Sequence, residues 1–217
     1  MKVSEIFFSI DGEGIRTGAP AVFIRLHGCN LRCSYCDSMY AVEGSDFTEM
    51  NVDQIVDKVK SFDCKNVTLT GGEPLIHKDV QTLLQVLDDN SFDINIETNG
   101  TMPKPLGFKN VFVTMDWKCS SSNMQGKMKL DNFRNLDSRD VVKFVVGSVK
   151  DLEDAARIVE SLENICHPTF YVSPVFGTLP YQDMVNWILS NQVVRKNLVR
   201  FQVQLHKVIW DPNERGV

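Results

Sequence analysis

The residues with the clearest capacity for chemistry in this sequence are three closely spaced cysteines. Cys29, Cys33 and Cys36 follow the spacing C-x3-C-x2-C, directly after an apolar segment that is typical of a β-strand. A single loop can turn all three sulfurs toward one centre, and three thiolates suit a soft metal or an iron–sulfur cluster. A [4Fe–4S] cluster with three cysteine ligands leaves one iron without a protein ligand, and a small chelating molecule can bind there.

The alternatives for this cysteine loop are a zinc knuckle, a chance group of thiols and a disulfide. A structural zinc site needs a fourth ligand, which commonly comes from a second close pair. Cys64, Cys119 and Cys166 are isolated from one another, and His27 lies on the strand side of the loop. The spacing therefore favours a cluster and leaves the zinc site as an open alternative.

The composition predicts a globular protein. The chain has 217 residues, of which 43% are hydrophobic and 24% charged, and this suits one folded domain over residues 1–217. No apolar run approaches the roughly 20 residues of a membrane span, and the apolar start is too short for a secretory signal. The net charge of −5 argues against a nucleic-acid partner. We therefore expect a cytoplasmic location, where thiols stay reduced.

Short β-rich segments alternate with helical patterns along the chain. The predicted strands are residues 2–9, 21–26, 66–70, 93–98, 110–115, 141–146, 169–172 and 199–205. Helical apolar faces are predicted within residues 52–59, 80–87, 152–162 and 181–190, the first of them capped by Asn51. This alternation predicts an α/β fold with a mainly parallel sheet and crossover helices.

Two connections, residues 100–109 and 120–139, carry few helix signals. A complete eightfold barrel usually takes about 250 residues, more than this chain has. We therefore expect an incomplete, TIM-like β/α barrel, with a doubly wound open sheet as the alternative. Both folds bind ligands at the carboxyl ends of their parallel strands. The polar residues at those ends are Cys29, Gly71–Glu73, Glu97–Gly100, Asp116, Lys118, Ser173 and His206.

A second motif gives the cysteine loop a more specific context. Tyr35 stands just before the last cysteine, and Gly71-Gly72-Glu73-Pro74 ends the next predicted strand. Together they resemble the cluster loop and the GGEP motif of the radical S-adenosylmethionine (SAM) superfamily. The resemblance implies that a reduced [4Fe–4S] cluster cleaves SAM to methionine and a 5′-deoxyadenosyl radical, which abstracts hydrogen from a substrate. On its own, the glycine pair also suits a plain turn from strand to helix, with Pro74 opening the helix.

Further phrases across nearly the whole chain resemble the 7-carboxy-7-deazaguanine synthase family of this superfamily. They are Glu5–Gly14, Pro20–Cys33, Cys36–Ser38, Thr70–Pro74, Ile96–Gly100 and Gln204–Lys207. The resemblance implies conversion of 6-carboxy-5,6,7,8-tetrahydropterin to 7-carboxy-7-deazaguanine with release of ammonia, a step in the biosynthesis of deazapurines such as queuosine. It also implies that SAM is regenerated and that Mg²⁺ assists.

The resemblance assigns roles to individual residues. It implies that the cluster ligands are Cys29, Cys33 and Cys36, and that Ser38 binds Mg²⁺ where the family usually has Thr. The implied catalytic residues are Glu97 and His206. The implied SAM contacts are Gly72, Asp116, Trp117, Lys118, Ser173 and Phe176. The implied substrate contacts are Ile10, Asp11, Gly12, Glu13, Arg25 and Thr70.

Several of these residues also have ordinary structural explanations. Ser38 is a common turn residue, Arg25 and Glu97 can belong to ion pairs, and His206 can be a core histidine. Asp11 departs from the family, which usually has Gln there. An ionised Asp only accepts hydrogen bonds, whereas Gln both donates and accepts.

Two alternative functions remain beside the synthase. One is a small radical SAM activase that generates a glycyl radical on a partner protein, and the other is a non-catalytic zinc or iron–sulfur binding module. The synthase family implies a small pterin substrate, an electron donor such as flavodoxin, and a homodimer. We expect neither a nucleic-acid nor a membrane partner.

Overall fold

The computed structural model describes residues 1–217, and its centre is one nine-stranded sheet. The strands are β1 Lys2–Ile10, β2 Pro20–Leu26, β3 Thr48–Glu49, β4 Asn66–Gly71, β5 Asp93–Thr98, β6 Val111–Trp117, β7 Val141–Val146, β8 Thr169–Pro174 and β9 Arg200–Phe201. Their order is β3-β1-β2-β4-β5-β6-β7-β8-β9. Every pair from β2 to β9 is parallel, whereas β1 runs antiparallel to β2 and β3.

Six α-helices accompany the sheet: α1 Val52–Lys60, α2 Val80–Asp89, α3 Val149–Leu162, α4 Tyr181–Ser190, α5 Gln192–Lys196 and α6 His206–Ile209. The predicted N-cap of α1 is confirmed, because Asn51 and Gln54 form a reciprocal capping box. The predicted apolar helix faces join alternate strand residues such as Leu69 and Ile96 in one buried core. None of the six α-helices combines the length and the apolar character that a membrane span requires.

The sheet does not close, and its helices are incomplete. No α-helix lies between β5 and β6, and the connection from β6 to β7 contains only three short 3-10 turns, Ser120–Ser122, Gln125–Lys127 and Leu130–Phe133. Both connections were predicted to be poor in helix. The expected fold class, an incomplete β/α barrel built on a mainly parallel sheet, is therefore confirmed.

The loop from residue 11 to residue 19 packs against the amino ends of β4 and β5. Arg16 donates to the carbonyl oxygens of Val67 and Asp93, at 3.0 and 2.9 Å. On the other side, the side-chain amide of Gln202 pairs with both backbone groups of Gly14, at 2.8 and 3.1 Å. These bonds fix the loop between the amino ends of β4 and β5 and the segment that follows β9.

The last strand is much shorter than its apolar pattern predicts. We expected a strand over residues 199–205, but only Arg200–Phe201 pairs with β8. The chain then leaves the sheet, because Gln202 binds the loop after β1 and the amide of Leu205 donates to the carbonyl of Gly12 at 3.0 Å. His206 consequently lies at the start of α6 rather than at the end of a long strand.

Candidate active site

A cavity of about 540 Å³ opens at the carboxyl ends of the parallel strands. This volume is in the range of small-molecule sites. Most of the residues singled out by the sequence line it, although they come from many separate segments. They are Ile10, Asp11, Gly12, Glu13, Arg25, Cys29, Cys33, Cys36, Ser38, Thr70, Gly72, Glu97, Asp116, Lys118, Phe176 and His206.

The cysteine loop begins where β2 ends and is fastened to the opposite side of the cavity. The backbone amide and the hydroxyl of Ser34 donate to the carbonyls of Ser122 and Ser121. The Tyr35 hydroxyl donates to the carbonyl of Val145 on β7 at 3.2 Å. The loop is therefore held from two directions, by the β6–β7 connection and by β7.

The three thiols of this loop are half-buried and unpaired with one another. Burial raises the pKa of Cys29 and of Cys33. The amide of Leu31 and the side-chain amide of Asn99 donate to Cys29 Sγ, at 3.3 and 3.6 Å. Such donors stabilise a thiolate and tune iron–sulfur clusters. The donor set therefore fits a cluster.

The side chains do not form a preassembled site for a single ion. No group of three His, Cys, Asp or Glu side chains converges closely enough to hold one metal ion. A tetrahedral zinc site needs its ligands gathered around one atom, whereas a cluster binds each thiolate at a separate iron. Cys29, Cys33 and Cys36 all lie on one loop that borders the cavity.

The glycine pair at the end of β4 packs its backbone closely on its neighbours, Gly71 against Leu26 of β2 and Gly72 against the start of the cysteine loop. A Cβ added at Gly72 would lie 2.3 Å from the carbonyl oxygen of Gly28 and 2.7 Å from Cys29 Cβ. The amide of Gly72 donates to the carbonyl of Leu26, which continues the ladder between β2 and β4. Only glycine permits this approach, so the motif is more than a plain turn into the Pro74–Ile76 helix.

The glutamate of the same motif has a structural role. The buried carboxylate of Glu73 accepts hydrogen bonds from the amide of Leu75, the hydroxyl of Thr98 and the amide of Asn99, at 3.0, 2.7 and 2.6 Å. It therefore ties the end of β4 to the end of β5. This contact places Asn99 beside Cys29.

Alternating charges form the floor of the cavity. Lys143 on β7 lies 3.1 Å from Glu13, 3.3 Å from Glu97 and 3.5 Å from Asp116. Lys118 forms a second ion pair with Asp116 at 2.7 Å. Sequence reasoning missed Lys143. A charged residue inside the apolar strand Val141–Val146 was the available signal.

The surroundings of the two central carboxylates shift their pKa values in opposite directions. Burial raises the pKa of Glu97 to about 7, although the nearby Lys143 opposes the change. Burial also acts on Asp116, but Lys118 and Lys143 outweigh it and hold the pKa of Asp116 below its ordinary value. Near neutral pH the floor therefore combines a fixed carboxylate with one that can exchange a proton.

The side of the cavity beside the cysteine loop carries further ion pairs and hydroxyls. Arg25 binds Glu5 at 2.7 Å, so the ion-pair explanation applies to it, yet Arg25 still lines the cavity. Ser38 lies beside the cysteine loop, with its hydroxyl 3.8 Å from Cys36 Sγ. Lys207 reaches Asp37 at 2.6 Å and so fastens α6 to the loop.

His206 and Gly12 are in direct contact. A Cβ at Gly12 would lie 2.3 Å from His206 Nδ1, so the imidazole occupies the space that the glycine leaves open. Burial lowers the pKa of His206. The ring is consequently neutral at pH 7 and has one donor and one acceptor nitrogen.

Asp11 is occupied by contacts within the protein. Its buried carboxylate accepts from Arg16 Nε at 2.9 Å and from the Thr68 hydroxyl at 2.7 Å. Its backbone amide and carbonyl pair with Ala19 and Gly18. The departure from the usual Gln therefore comes with a built-in partner, Arg16.

Two of the predicted SAM contacts do not line the cavity. Trp117 follows Asp116 on β6, and strand alternation turns its ring to the other face, where it packs on Phe133 with centroids 5.2 Å apart. Ser173 on β8 is fully buried, and its hydroxyl has no hydrogen-bond partner. Neither side chain is among those that border the cavity.

Sequence comparisons identify close relatives of this chain. The radical SAM superfamily model matches residues 23–115. The 7-carboxy-7-deazaguanine synthase of Clostridium acetobutylicum is 43% identical, over 100% of this chain and 99% of that protein. The synthase of Methanospirillum hungatei is 41% identical over 98% of this chain and 86% of its own length.

Comparison with solved structures supports the same fold. QueE from Escherichia coli superposes with a TM-score of 0.76 at 23% identity, covering 94% of both chains. Streptococcus suis SuiB, in its complex with the precursor peptide SuiA, gives a TM-score of 0.60 at 13% identity, over 83% of this chain and 47% of SuiB. With relatives above 40% identity along its full length, this chain belongs to the 7-carboxy-7-deazaguanine synthase family of radical SAM enzymes.

Proposed function

We propose that this protein converts 6-carboxy-5,6,7,8-tetrahydropterin to 7-carboxy-7-deazaguanine and ammonia. The observation that carries the proposal is the meeting, in one cavity, of the three-cysteine loop, the glycine pair beside Cys29 and the charged floor around Lys143. Product and ammonia together contain the atoms of the substrate, so the conversion needs no net oxidant. The family relationship, over the full chain length, supports this reaction.

The cofactor side of the cavity is the part formed by the cysteine loop and the strand ends beside it. Cys29, Cys33 and Cys36 would hold a [4Fe–4S] cluster whose remaining iron is free to bind SAM. When bound, the reduced cluster and SAM supply the radical that starts the reaction. Gly72 offers backbone next to Cys29, while Lys118 and Phe176 line the same cavity.

The substrate side is the part formed by the loop after β1 and the ends of β2, β4 and β5. We assign the N–H groups of the pterin to the carboxylates of Glu13 and Glu97, because ionised carboxylates accept hydrogen bonds. Arg25 offers the pterin carboxylate a fork of donors. Neutral His206, held against Gly12, adds one donor or acceptor.

We also assign a Mg²⁺ site to Ser38. Its hydroxyl is a hard oxygen ligand of the kind that Mg²⁺ prefers, and it lies at the cavity beside Cys36. The ion would take its other ligands from water or from the bound substrate. Ser38 would then link cluster and substrate sides of the cavity.

A direct assay tests the reaction. Anaerobically reconstituted protein is incubated with dithionite, SAM, Mg²⁺ and 6-carboxy-5,6,7,8-tetrahydropterin, and products are identified by mass spectrometry. We expect 7-carboxy-7-deazaguanine together with ammonia. SAM cleavage without any deazapurine would contradict the synthase and favour the activase, and protein that binds zinc but no iron or sulfide would favour the binding module.

Three finer expectations follow from the family and belong to this proposal. The physiological reductant would be a small electron-transfer protein such as flavodoxin, the location cytoplasmic and the assembly a homodimer. Light scattering of the reconstituted protein tests the last of these. A mass near one chain at micromolar concentration would contradict the dimer.

A further inference from the structure

One buried lysine links the acidic side chains of the cavity floor. Lys143 lies in the middle of β7, where all six residues are buried, and its own side chain is only 5% exposed. An ammonium group taken out of water is strongly destabilised unless charged partners surround it. A lysine at this position therefore requires partners that the rest of the fold must bring to it.

Those partners arrive from three other segments. Glu13 comes from the loop after β1, Glu97 from the end of β5 and Asp116 from β6, and all three lie within 3.5 Å of Lys143 Nζ. Each carboxylate lines the cavity. Glu13 Oε1 is buried and has no hydrogen-bond partner, whereas Asp116 Oδ1 faces Lys143 Nζ at 3.5 Å. One oxygen of Glu13 is thus anchored to the lysine while the other remains free for a bound molecule.

We propose that Lys143 is the positioning residue of this site: its ammonium group holds Glu13 and Glu97 in place, as paired acceptors for the N–H groups of the substrate. This inference rests on the proposed function for the identity of the substrate. Lys143 does not itself contact the reacting atoms. It affects substrate binding through the positions and charges of Glu13 and Glu97.

The physical reason is the repulsion that would follow if the lysine were removed. Three carboxylates in one small space cannot all stay ionised, and one of them takes up a proton. A protonated carboxyl becomes a donor and no longer accepts two hydrogen bonds. Glu97 is the carboxyl that would change first, because its pKa already stands at about 7 with Lys143 lowering it.

The charged groups that act on Glu97 come from every neighbouring element. Lys143 lowers its pKa, whereas Glu13, Asp116 and Asp11 raise it. The charge of Asp11 is already paired with Arg16, and that of Asp116 with Lys118. Lys143 is therefore the group whose removal changes the ionisation of Glu97 most.

The first test compares Lys143→Met, Lys143→Arg and the wild-type holoenzyme. The readout is kcat/KM for the tetrahydropterin as a function of pH, with SAM saturating. We expect Lys143→Met to raise the apparent pKa of the acid limb, where kcat/KM falls as the pH is lowered, by about one unit or more. This is the size of effect that a neighbouring opposite charge has. We expect Lys143→Arg to keep the acid limb of the wild type, because it keeps the charge.

A matched control is available in a second buried lysine. Lys104 binds Asp140 at 2.6 Å and Asp137 at 3.1 Å, but it does not line the cavity. Lys104→Met should lower the melting temperature and leave the acid limb unchanged. An unmoved limb in Lys143→Met, or an equal shift in Lys104→Met, would overturn the proposal.

A second measurement does not depend on turnover. The carboxyl-carbon NMR signal of Glu97 is titrated in the full chain carrying an oxidised cluster, for the wild type, Lys143→Met and Glu13→Gln. We expect the titration midpoint to rise in Lys143→Met and to fall in Glu13→Gln, which removes a repelling charge. Glu13→Gln also serves if Lys143→Met does not fold, and an unchanged midpoint in the variants that fold would overturn the role of Lys143.

The two measurements separate the inference from the proposed function. If the wild type makes no deazapurine but the midpoints of Glu97 move as expected, the reaction assignment fails and the role of Lys143 in fixing the carboxylates stands. If the wild type is active and neither the acid limb nor the midpoints move, the function stands and the inference fails.

Discussion

At Gly12, the neighbouring side chain of His206 leaves no room for any residue larger than glycine. Gly12 has an ordinary backbone conformation that other residues can adopt. It is required because a side chain there would collide with His206. The imidazole of His206 fills that space. By contrast, Gly126 has no neighbour within 4 Å of an added Cβ.

Replacement of Gly12 by Ala should displace His206 from the cavity wall. We expect SAM cleavage to persist while kcat/KM for the tetrahydropterin falls by up to about 100-fold, the cost of a misplacement of about 1 Å. Steady-state kinetics on the reconstituted enzyme measures both. Gly126→Ala is the control and should match the wild type; equal kinetics for the two variants would contradict this contact.

Replacement of Ser38 by Ala should weaken the stimulation by Mg²⁺, because it removes the hard oxygen ligand. Ser38→Thr keeps a hydroxyl and should retain the stimulation. The measurement is initial rate against Mg²⁺ concentration. An identical Mg²⁺ dependence in Ser38→Ala would remove Ser38 as a ligand.

At the scale of elements, α3 stabilises the cysteine loop from a distance. Asp151 in its first turn accepts hydrogen bonds from the Ser120 hydroxyl at 2.8 Å and the Ser121 amide at 3.0 Å. The same carboxylate accepts from the amide of Gly147 at 2.8 Å. The Ser120–Ser122 turn in turn binds Ser34, between the second and third cysteines.

Replacement of Asp151 by Asn should therefore loosen the cysteine loop, since Asn keeps only one acceptor oxygen and its amide nitrogen cannot accept the bonds made to the other carboxylate oxygen. The loss of charge-assisted hydrogen bonds is worth about 2 kcal/mol, and we expect iron and sulfide content after reconstitution to fall severalfold. Chemical analysis and the visible absorption of the cluster report it. Glu153→Gln, on an exposed part of the same helix, should retain full loading; full loading in both variants would refute the connection.

At the scale of the whole molecule, Arg16 connects the loop after β1 to two strands. Its guanidinium binds Asp11, Thr68 and the carbonyl oxygens of Val67 and Asp93. The side chain is 10% exposed and that of Asp11 only 3%. Removal of the Arg16 side chain would leave the buried carboxylate of Asp11 without its charged partner.

Replacement of Arg16 by Met should lower the free energy of unfolding by about 3 kcal/mol, as is usual when one partner of a buried ion pair is removed. Thermal unfolding followed by circular dichroism should show a melting temperature lower by about 6–12 °C. The control is Arg139→Met, which removes a half-exposed ion pair with Asp137. This change should lower the free energy of unfolding by less than about 1 kcal/mol. Similar losses for both variants would contradict this ranking.

Local patterns in the sequence were enough to predict most elements and the loop that carries the three cysteines. These patterns involve residues that are close together in the chain. Examples are the helical face of Val52–Lys60, the glycine pair at the end of β4 and the spacing of the cysteines. The end of β9 was mispredicted, because the tertiary contacts of Gln202 and Leu205 override the apolar pattern of that segment. The family resemblance implies a SAM contact for Trp117 beside Asp116 and Lys118, whereas strand alternation turns its ring away from the cavity.

The sequence by itself determined which chemical groups are present and the order of the strands and helices that carry them, because spacing and periodicity are local properties. Only the tertiary structure decided that Lys143 would meet Glu13, Glu97 and Asp116, which lie up to 130 positions away in the chain. Those encounters depend on the register between parallel strands and on the path of the loop after β1. The physical reason is that a buried charge is stable only where the whole fold supplies its counter-charges.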